Sequence, residues 1–287
     1  MLRITPHQHQ QGFMTIAQNT RDTDYLKLAY VQAMSIKITM PGSLYAVAVD
    51  EETLSLVTDN HRKVFDYVIL IENNTASDDD WKLSNEWQIF YLTPFKETIK
   101  LESDLIFTRD ISHWWHAFRL RNIVLSTGCR DYKQNISKSR QYRELFDDNE
   151  LPDIYSGLMY FRYTQESATF FMLAEKIFVN WEYIRDNVLY KCYDEKPTTD
   201  VVYALVTKIL GVEQCTIPSL DWINFVHMKP AINQWQNSPW HEVVLCETEL
   251  PMIRINNINQ YHPLHYYEKK WINDELITEY EKCLQKS

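Results

Sequence analysis

Glycine is scarce in this chain: 5 occur among 287 residues. They stand at Gly12, Gly42, Gly128, Gly157 and Gly211. No two have the spacing of G-x-G-x-x-G or G-x-x-x-x-G-K, so the glycine-rich loops that cradle phosphates on backbone N–H groups are missing. A protein that handles phosphate without them must meet the charge with a metal, with Lys and Arg side chains, or with helix N-termini. A G-x-S-x-G nucleophile elbow is missing too, as is any C-x-x-C pair. The 5 cysteines, Cys129, Cys192, Cys215, Cys246 and Cys283, are odd in number and widely spaced. That suits reduced packing thiols better than a disulfide framework or a zinc site. Apolar runs such as "YAVAVD" and "YVILIE" fall far short of the roughly 20 residues of a membrane span. The start "MLRITPHQHQ" has no secretory apolar region. The expectation is a soluble, cytoplasmic protein with no membrane span. A formal net charge of -10 opposes non-specific binding to a polyanion and leaves room only for a narrow basic site.

With 45% hydrophobic and 24% charged residues, the chain can bury one large core or two unequal ones. Its first hundred residues alternate strand and helix. "FMTIAQN" (13–19) is a short apolar run. Asp22 to Asp24 are N-cap candidates for a helix with Leu26, Ala29, Ala33 and Ile36 at helical spacing. "SLYAVAVD" (43–50) and "FDYVILIE" (65–72) are apolar on both faces, as strands of a covered parallel sheet are. "LSNEWQIFYLTPF" (83–95) reads as a helix broken near Pro94. "ETIKLESDLIF" then reads as a strand, a pair of carboxylates, and continuing chain. Further on, "NIVLST" (122–127) and "YSGLMYFRY" (155–163) read as strands, and "SATFFMLAEKIFVNWEYIRDNVL" as one long amphipathic helix. "TTDVVYALVTKIL" (198–210) is a helix with a Thr cap, and "LDWINFVHMKP" a strand. One α/β domain with a helical, aromatic-rich C-terminal extension is the simplest organisation.

Two carboxylates, Glu102 and Asp104, follow the apolar strand in "FKETIKLESDLIF". At the C-terminal edge of a sheet strand, an E-x-D turns both side chains toward the crevice where ligands of open α/β sheets bind. Two hard oxygen ligands there suit Mg²⁺ or Mn²⁺. Solvated caps at a strand end would read the same way. "FVHMKP" (225–230) adds His227 and Lys229, an imidazole able to ligate a metal and an ammonium able to neutralise a phosphate.

The order of these elements resembles that of GT-A fold glycosyltransferases, above all glycosyltransferase family eight, the glycogenin and galactosyltransferase-like proteins. The resemblance spans residues 12 to 230 as a pattern. It implies a Rossmann-like, mostly parallel sheet flanked by helices, a nucleotide-sugar transferase domain over 1–230, and an extension over 231–287 packed on it. In that family a D-x-D holds Mn²⁺ on the diphosphate of a nucleotide sugar, and "LESDLIF" looks like a version with Glu first. The family's later H-x-x-G-x-x-K-P-W is similar to "HMKP", shortened and without its Gly. The implied metal set is therefore Glu102, Asp104 and His227 around Mn²⁺ or Mg²⁺, with Lys229 on the leaving phosphate. "YSGLMYF" is similar to the family's N-S-G segment and would place Ser156 and Gly157 near the donor sugar. Asp200 is either the acid that binds donor-sugar hydroxyls or a first-turn carboxylate on a helix dipole. Ala17, Gln18, Asn19 and Tyr25 would contact the base of the donor, expected to be a UDP-sugar, although Tyr25 also suits helix packing and Asn19 a strand cap. Transfer with retention is implied, and Asp104, Lys229 and Asp200 would be the catalytic residues.

The acceptor is open among a glycan, a protein and a modified nucleic-acid base. Trp114, Trp115, Trp222, Trp235 and Trp240 are stacking candidates or core. Arg119, Arg121, Arg130, Lys133, Lys138, Arg140 and Arg143 read as a phosphate-reading loop or as a solvated loop. A catalytically inactive sugar-binding relative and a metal-dependent phosphoesterase are the rival functions.

Overall fold

A computed structural model describes residues 9–76, 81–137, 143–216, 223–235 and 238–286. Trp222, Lys138 and Arg140 lie outside the described residues. In chain order the strands are β1 (His9–Ile16), β2 (Tyr45–Val49), β3 (Tyr67–Leu70), β4 (Phe95–Leu101), β5 (Leu105–Ile106), β6 (Ile123–Thr127), β7 (Ile154–Arg162), β8 (Val226–His227), β9 (Cys246–Glu249), β10 (Met252–Ile255), β11 (Ile258–Asn259) and β12 (Leu264–His265).

The central sheet has the order β3-β2-β1-β4-β7-β6. Its first four strands are parallel, and β7 runs antiparallel to both β4 and β6. All five residues of β2 are buried, as the run of apolar residues on both faces predicts. Packing requires a glycine at Gly12 on β1, because a Cβ there would stand 2.3 Å from the ring of Phe95. The helix Tyr25–Thr39 starts where the Asp24 carboxylate accepts from the Lys27 N–H at 3.0 Å. The helix Thr199–Leu210 is capped by the Thr198 hydroxyl and ends at Gly211, whose φ of 62° is left-handed.

Each face of the sheet carries its own apolar cluster. On one side Leu26, Ala29, Ala33 and Ile36 of the first helix pack with Trp114, Phe118, Tyr266 and Tyr280. On the other, Phe170, Phe171, Ile177, Val202 and Tyr203 cover Met14, Ala46 and Phe161. Trp114 and Trp115 are core residues, 0% and 4% exposed, so neither offers a stacking face to a ligand.

Two expected helices differ. Residues 83–95 form a 3-10 helix, Lys82–Gln88, and one α turn, Ile89–Leu92. Asn85, Glu86, Trp87 and Gln88 are all buried, and four consecutive inward residues match no single face of an α-helix. The helix expected over 167–189 is two, Gln165–Val179 and Trp181–Asn187, parted at Asn180. There the Asn180 amide donates to the Lys176 carbonyl at 2.7 Å and closes the first helix.

The C-terminal residues contain the helix Asp274–Leu284 and the rings of Trp240 and Trp271, 6.2 Å apart. They also contain the antiparallel sheet β11-β10-β9. β12 lies between β5 and β8, pairing Leu264 with Ile106 and Val226, and His265 with Leu105 and His227. This pairing delivers His265 to the end of the central sheet. Among the described residues no helix is long and apolar enough to cross a membrane.

Candidate metal and nucleotide-sugar site

β4 ends at Leu101, and the chain turns through Glu102 to Leu105. The turn is fixed from three sides. Glu102 N–H donates to the Gly157 carbonyl at 2.9 Å, Leu105 N–H donates to the Glu102 carbonyl at 3.2 Å, and the Gln32 amide donates to the carbonyls of Glu102 and Leu105 at 2.5 and 2.6 Å. Gly157 is where β7 passes closest to the turn: a Cβ there would stand 3.1 Å from the Phe225 ring and 3.5 Å from Glu102 Oε2. The Ser156 hydroxyl donates to Glu102 Oε1 at 2.8 Å. His265 Nε2 lies 2.9 Å from Glu102 Oε2 and 3.2 Å from Asp104 Oδ1. The Lys269 ammonium contacts the other Asp104 oxygen.

Glu102, Asp104 and His265 thus offer ligand atoms within 4.8 Å of one another. Burial pushes the Glu102 carboxyl up, but the His265 hydrogen bond and the Lys100 charge outweigh it and hold it well below the usual carboxylate range. A carboxylate kept ionised among cations is the form a metal needs. Two carboxylates and one imidazole form a mixed oxygen and nitrogen set able to hold a divalent ion.

The imidazole between the acids is His265 rather than His227. The two rings are 4.3 Å apart, with His227 packed against His265. Burial and the neighbouring His265 push the His227 imidazole well below its ordinary value, and its Nδ1 is buried with no hydrogen-bond partner among the described residues. A neutral, unpartnered imidazole nitrogen at this place fits a site that binds a cation.

These groups open into a cavity of about 450 Å³. Of the residues expected on sequence grounds, Gln18, Tyr25, Glu102, Asp104, His227 and Lys229 line it. Burial lowers the Lys229 ammonium from its ordinary value, with the Asp200 charge opposing. Ala17, Asn19, Ser156, Gly157 and Asp200 do not line it. Ala17 is fully buried and its N–H donates to the Ala48 carbonyl. Asn19 accepts from the Leu26 N–H at 2.9 Å and donates to Asp24 at 3.1 Å, closing the start of the helix. The Gln18 amide donates to Asp50 at 3.0 Å and accepts from Asn85 at 2.9 Å. Asp200 accepts from the Ser156 N–H at 2.7 Å and faces Arg143 at 3.4 Å. Ser156, Gly157 and Asp200 therefore stand behind Glu102 and position it.

Arg143 is not in a solvated loop. It is 2% exposed, bracketed by the rings of Phe146 and Tyr155 at 3.8 and 3.9 Å, and paired with Asp153 at 3.1 Å. Arg119 pairs with Glu97, near the opposite end of β4 from the acidic turn. Two of the seven basic residues are thus tied into separate parts of the structure.

Sequence reasoning missed His265, Tyr267, Lys269, Lys82 and Glu86, all of which line the cavity. A signal for three of them stands in "HYYEKKW". His265, Lys269 and Trp271 keep the order His, Lys, Trp of H-x-x-G-x-x-K-P-W with two residues fewer between His and Lys. Tyr267 has a φ of 60°, a left-handed conformation that glycine adopts at no steric cost.

No protein-family model matches the chain, and no curated protein does. Solved structures do match. The glycosyltransferase GlyE of Streptococcus pneumoniae TIGR4 superposes with a TM-score of 0.51 over 96% of this chain at 13% identity. The fold is the GT-A glycosyltransferase fold. This chain spans 63% of the length of GlyE. Galactosyltransferase LgtC, solved with donor and acceptor sugar analogs, matches with a TM-score of 0.43 at 10% identity, covering 68% of this chain and 69% of its own. Mouse xyloside xylosyltransferase 1 matches at 0.41 and 9% identity, covering 73% of this chain and 84% of its own.

Proposed function

We propose that this protein is a metal-dependent glycosyltransferase that moves a sugar from a nucleotide-sugar donor, a UDP-sugar, to an acceptor hydroxyl with retention. The observation that carries the reading is the convergence of Glu102, Asp104 and His265 in one cavity with Lys229, Lys269 and Lys82. Such a cavity is acidic where a divalent ion would sit and basic around it, as a metal diphosphate requires. Glu102 and Asp104 would hold Mn²⁺ or Mg²⁺ with His265 as third ligand, in the place first expected of His227. The ion would supply Lewis-acid stabilisation of charge on the departing diphosphate. Lys229 and Lys269 would place ammonium groups on the same oxygens, where stabilisation of developing charge lowers the barrier. Asp104 and Lys229 act directly on the donor, while Asp200 acts through Ser156 on Glu102. Tyr25 supplies an aromatic ring to the cavity wall for the base. The acceptor is a glycan, a protein or a modified nucleic-acid base.

The test is incubation with Mn²⁺ and a panel of nucleotide sugars, followed by assay of released nucleoside diphosphate. Release from a UDP-sugar that stops with EDTA is the expected result. Binding of nucleotide sugar without release would instead identify a sugar-binding relative.

A further inference from the structure

Beside the acidic turn lies a buried ion pair whose acid, Glu86, the proposed chemistry leaves unused. Glu86, on the 3-10 helix Lys82–Gln88, lines the same cavity although only 6% exposed. Lys100 on β4 is fully buried, with Nζ 2.8 Å from Glu86 Oε2 and donating to the Ser156 carbonyl at 3.2 Å. Glu86 Oε2 is sealed from solvent, and Lys100 is the polar partner that Glu86 has among the described residues. The other oxygen, Oε1, is left for a ligand.

A buried ion pair is weak evidence for stability, because desolvation offsets most of its attraction. Its position at the cavity wall gives it a different meaning. Three carboxylates line the cavity: Glu86, Glu102 and Asp104. Glu102 and Asp104 turn to His265 and Lys269. Asp200, the acid expected to read sugar hydroxyls, is engaged by Ser156 and Arg143. Glu86 is therefore the carboxylate left for a neutral hydrogen-bond donor. Burial raises the Glu86 carboxyl from its ordinary value while the Lys100 charge opposes it, and the carboxylate that Lys100 holds accepts hydrogen bonds; on a sugar the donor to it is a hydroxyl.

We propose that Glu86 is a specificity-determining residue that accepts a hydrogen bond from a hydroxyl of the transferred sugar, with Lys100 holding the carboxylate in place. This rests on the nucleotide-sugar reading above. It predicts discrimination against donors lacking that hydroxyl, because a buried carboxylate would then be left without its partner.

Calorimetric titration in Mn²⁺ with UDP, UDP-glucose and UDP-galactose separates the two claims. The wild type should bind one of the hexose donors more tightly than UDP. E86Q alone leaves Lys100 buried without its counter-charge, so E86Q/K100M is the variant of choice. Loss of the Lys100 charge beside Glu102 lowers UDP affinity in this variant as well, so the readout is the ratio of hexose-donor to UDP affinity within each protein, which should fall about tenfold, as expected for one hydrogen bond to a charged group. Singly deoxygenated UDP-hexoses, titrated into the unaltered protein, test the same point without a variant. One position should cost about tenfold in affinity. The proposal is overturned if the double variant keeps the hexose advantage, if no deoxy position costs affinity, or if the wild type binds UDP and both hexose donors equally. In each of those cases UDP binding leaves the donor reading standing. Failure of UDP itself to bind would remove both.

Discussion

The Ser156 hydroxyl donates to Glu102 Oε1 at 2.8 Å, and His265 Nε2 lies 2.9 Å from Oε2. Hydrogen bonds of this kind orient a metal ligand, and their loss commonly costs 10- to 100-fold in metal affinity. Ser156→Ala should therefore weaken Mn²⁺ binding by about tenfold while changing stability in EDTA by only about 1 kcal/mol. Titration calorimetry and a melting curve check the two halves, and unchanged Mn²⁺ affinity would show that Ser156 does not support a metal ligand. A second prediction concerns acid stability. Burial pushes the His262 imidazole down to about 4, with the Arg130 and Arg109 charges adding to it, and its Nδ1 sits 2.9 Å from Gln134 Oε1. The unfolded chain takes up this proton near pH 6.5, well before the native state does. The stabilising effect of the neutral ring is thus complete above about pH 6.5 and is lost as pH falls toward 4. His262→Gln should flatten the decline of melting temperature over that window. A parent and variant with identical acid limbs would contradict the assignment.

At the scale of elements, the strands were legible and the site was only half so. β2, β4, β6 and β7 lie at the runs read as strands, whereas β1 starts at His9, four residues before the apolar run at 13–19, because its first residues are polar and exposed. The acids after β4 were legible because they stand together just past the end of a segment read as a strand. His265 was not. β12 is two residues long, and it meets Glu102 from 163 positions away, so neither periodicity nor local spacing marks it. Arg143 was misjudged because its sequence neighbours are polar, whereas its spatial neighbours are two rings and two acids. That nest holds the entry to β7 through Asp153 and, through Asp200, the Ser156 N–H. Breaking a buried pair costs about 3–5 kcal/mol, less where the acids are partly solvated, as Asp153 and Asp200 are at 33% and 30%. Arg143→Met should accordingly destabilise by about 2 kcal/mol and also weaken Mn²⁺ binding. Denaturant unfolding with a parallel metal titration checks both, and loss of stability with metal affinity intact would disconnect the nest from the site.

On the scale of the whole molecule, the C-terminal residues share the core of the central sheet. Tyr280 is fully buried in the cluster that contains Ile36 and Trp114, and Tyr30 donates to Glu281 at 3.0 Å. Tyr280→Ala should cost about 3–5 kcal/mol and lower the melting temperature of the entire chain in one transition. Two separated calorimetric transitions would mean that the C-terminal residues unfold on their own. The central claim is that Glu102, Asp104 and His265 hold a metal on a nucleotide sugar, and Asp104→Asn tests it most directly. Without ligands the variant should melt close to the parent, since Asp104 stands beside Glu102 and neutralising it relieves like-charge repulsion while giving up the Lys269 contact. With Mn²⁺ and a UDP-sugar at a hundred times the dissociation constant, the parent should gain about 2.7 kcal/mol by mass action and the variant far less. A variant stabilised as much as the parent, or a parent that no combination of Mn²⁺ and UDP-sugar stabilises, would contradict the account.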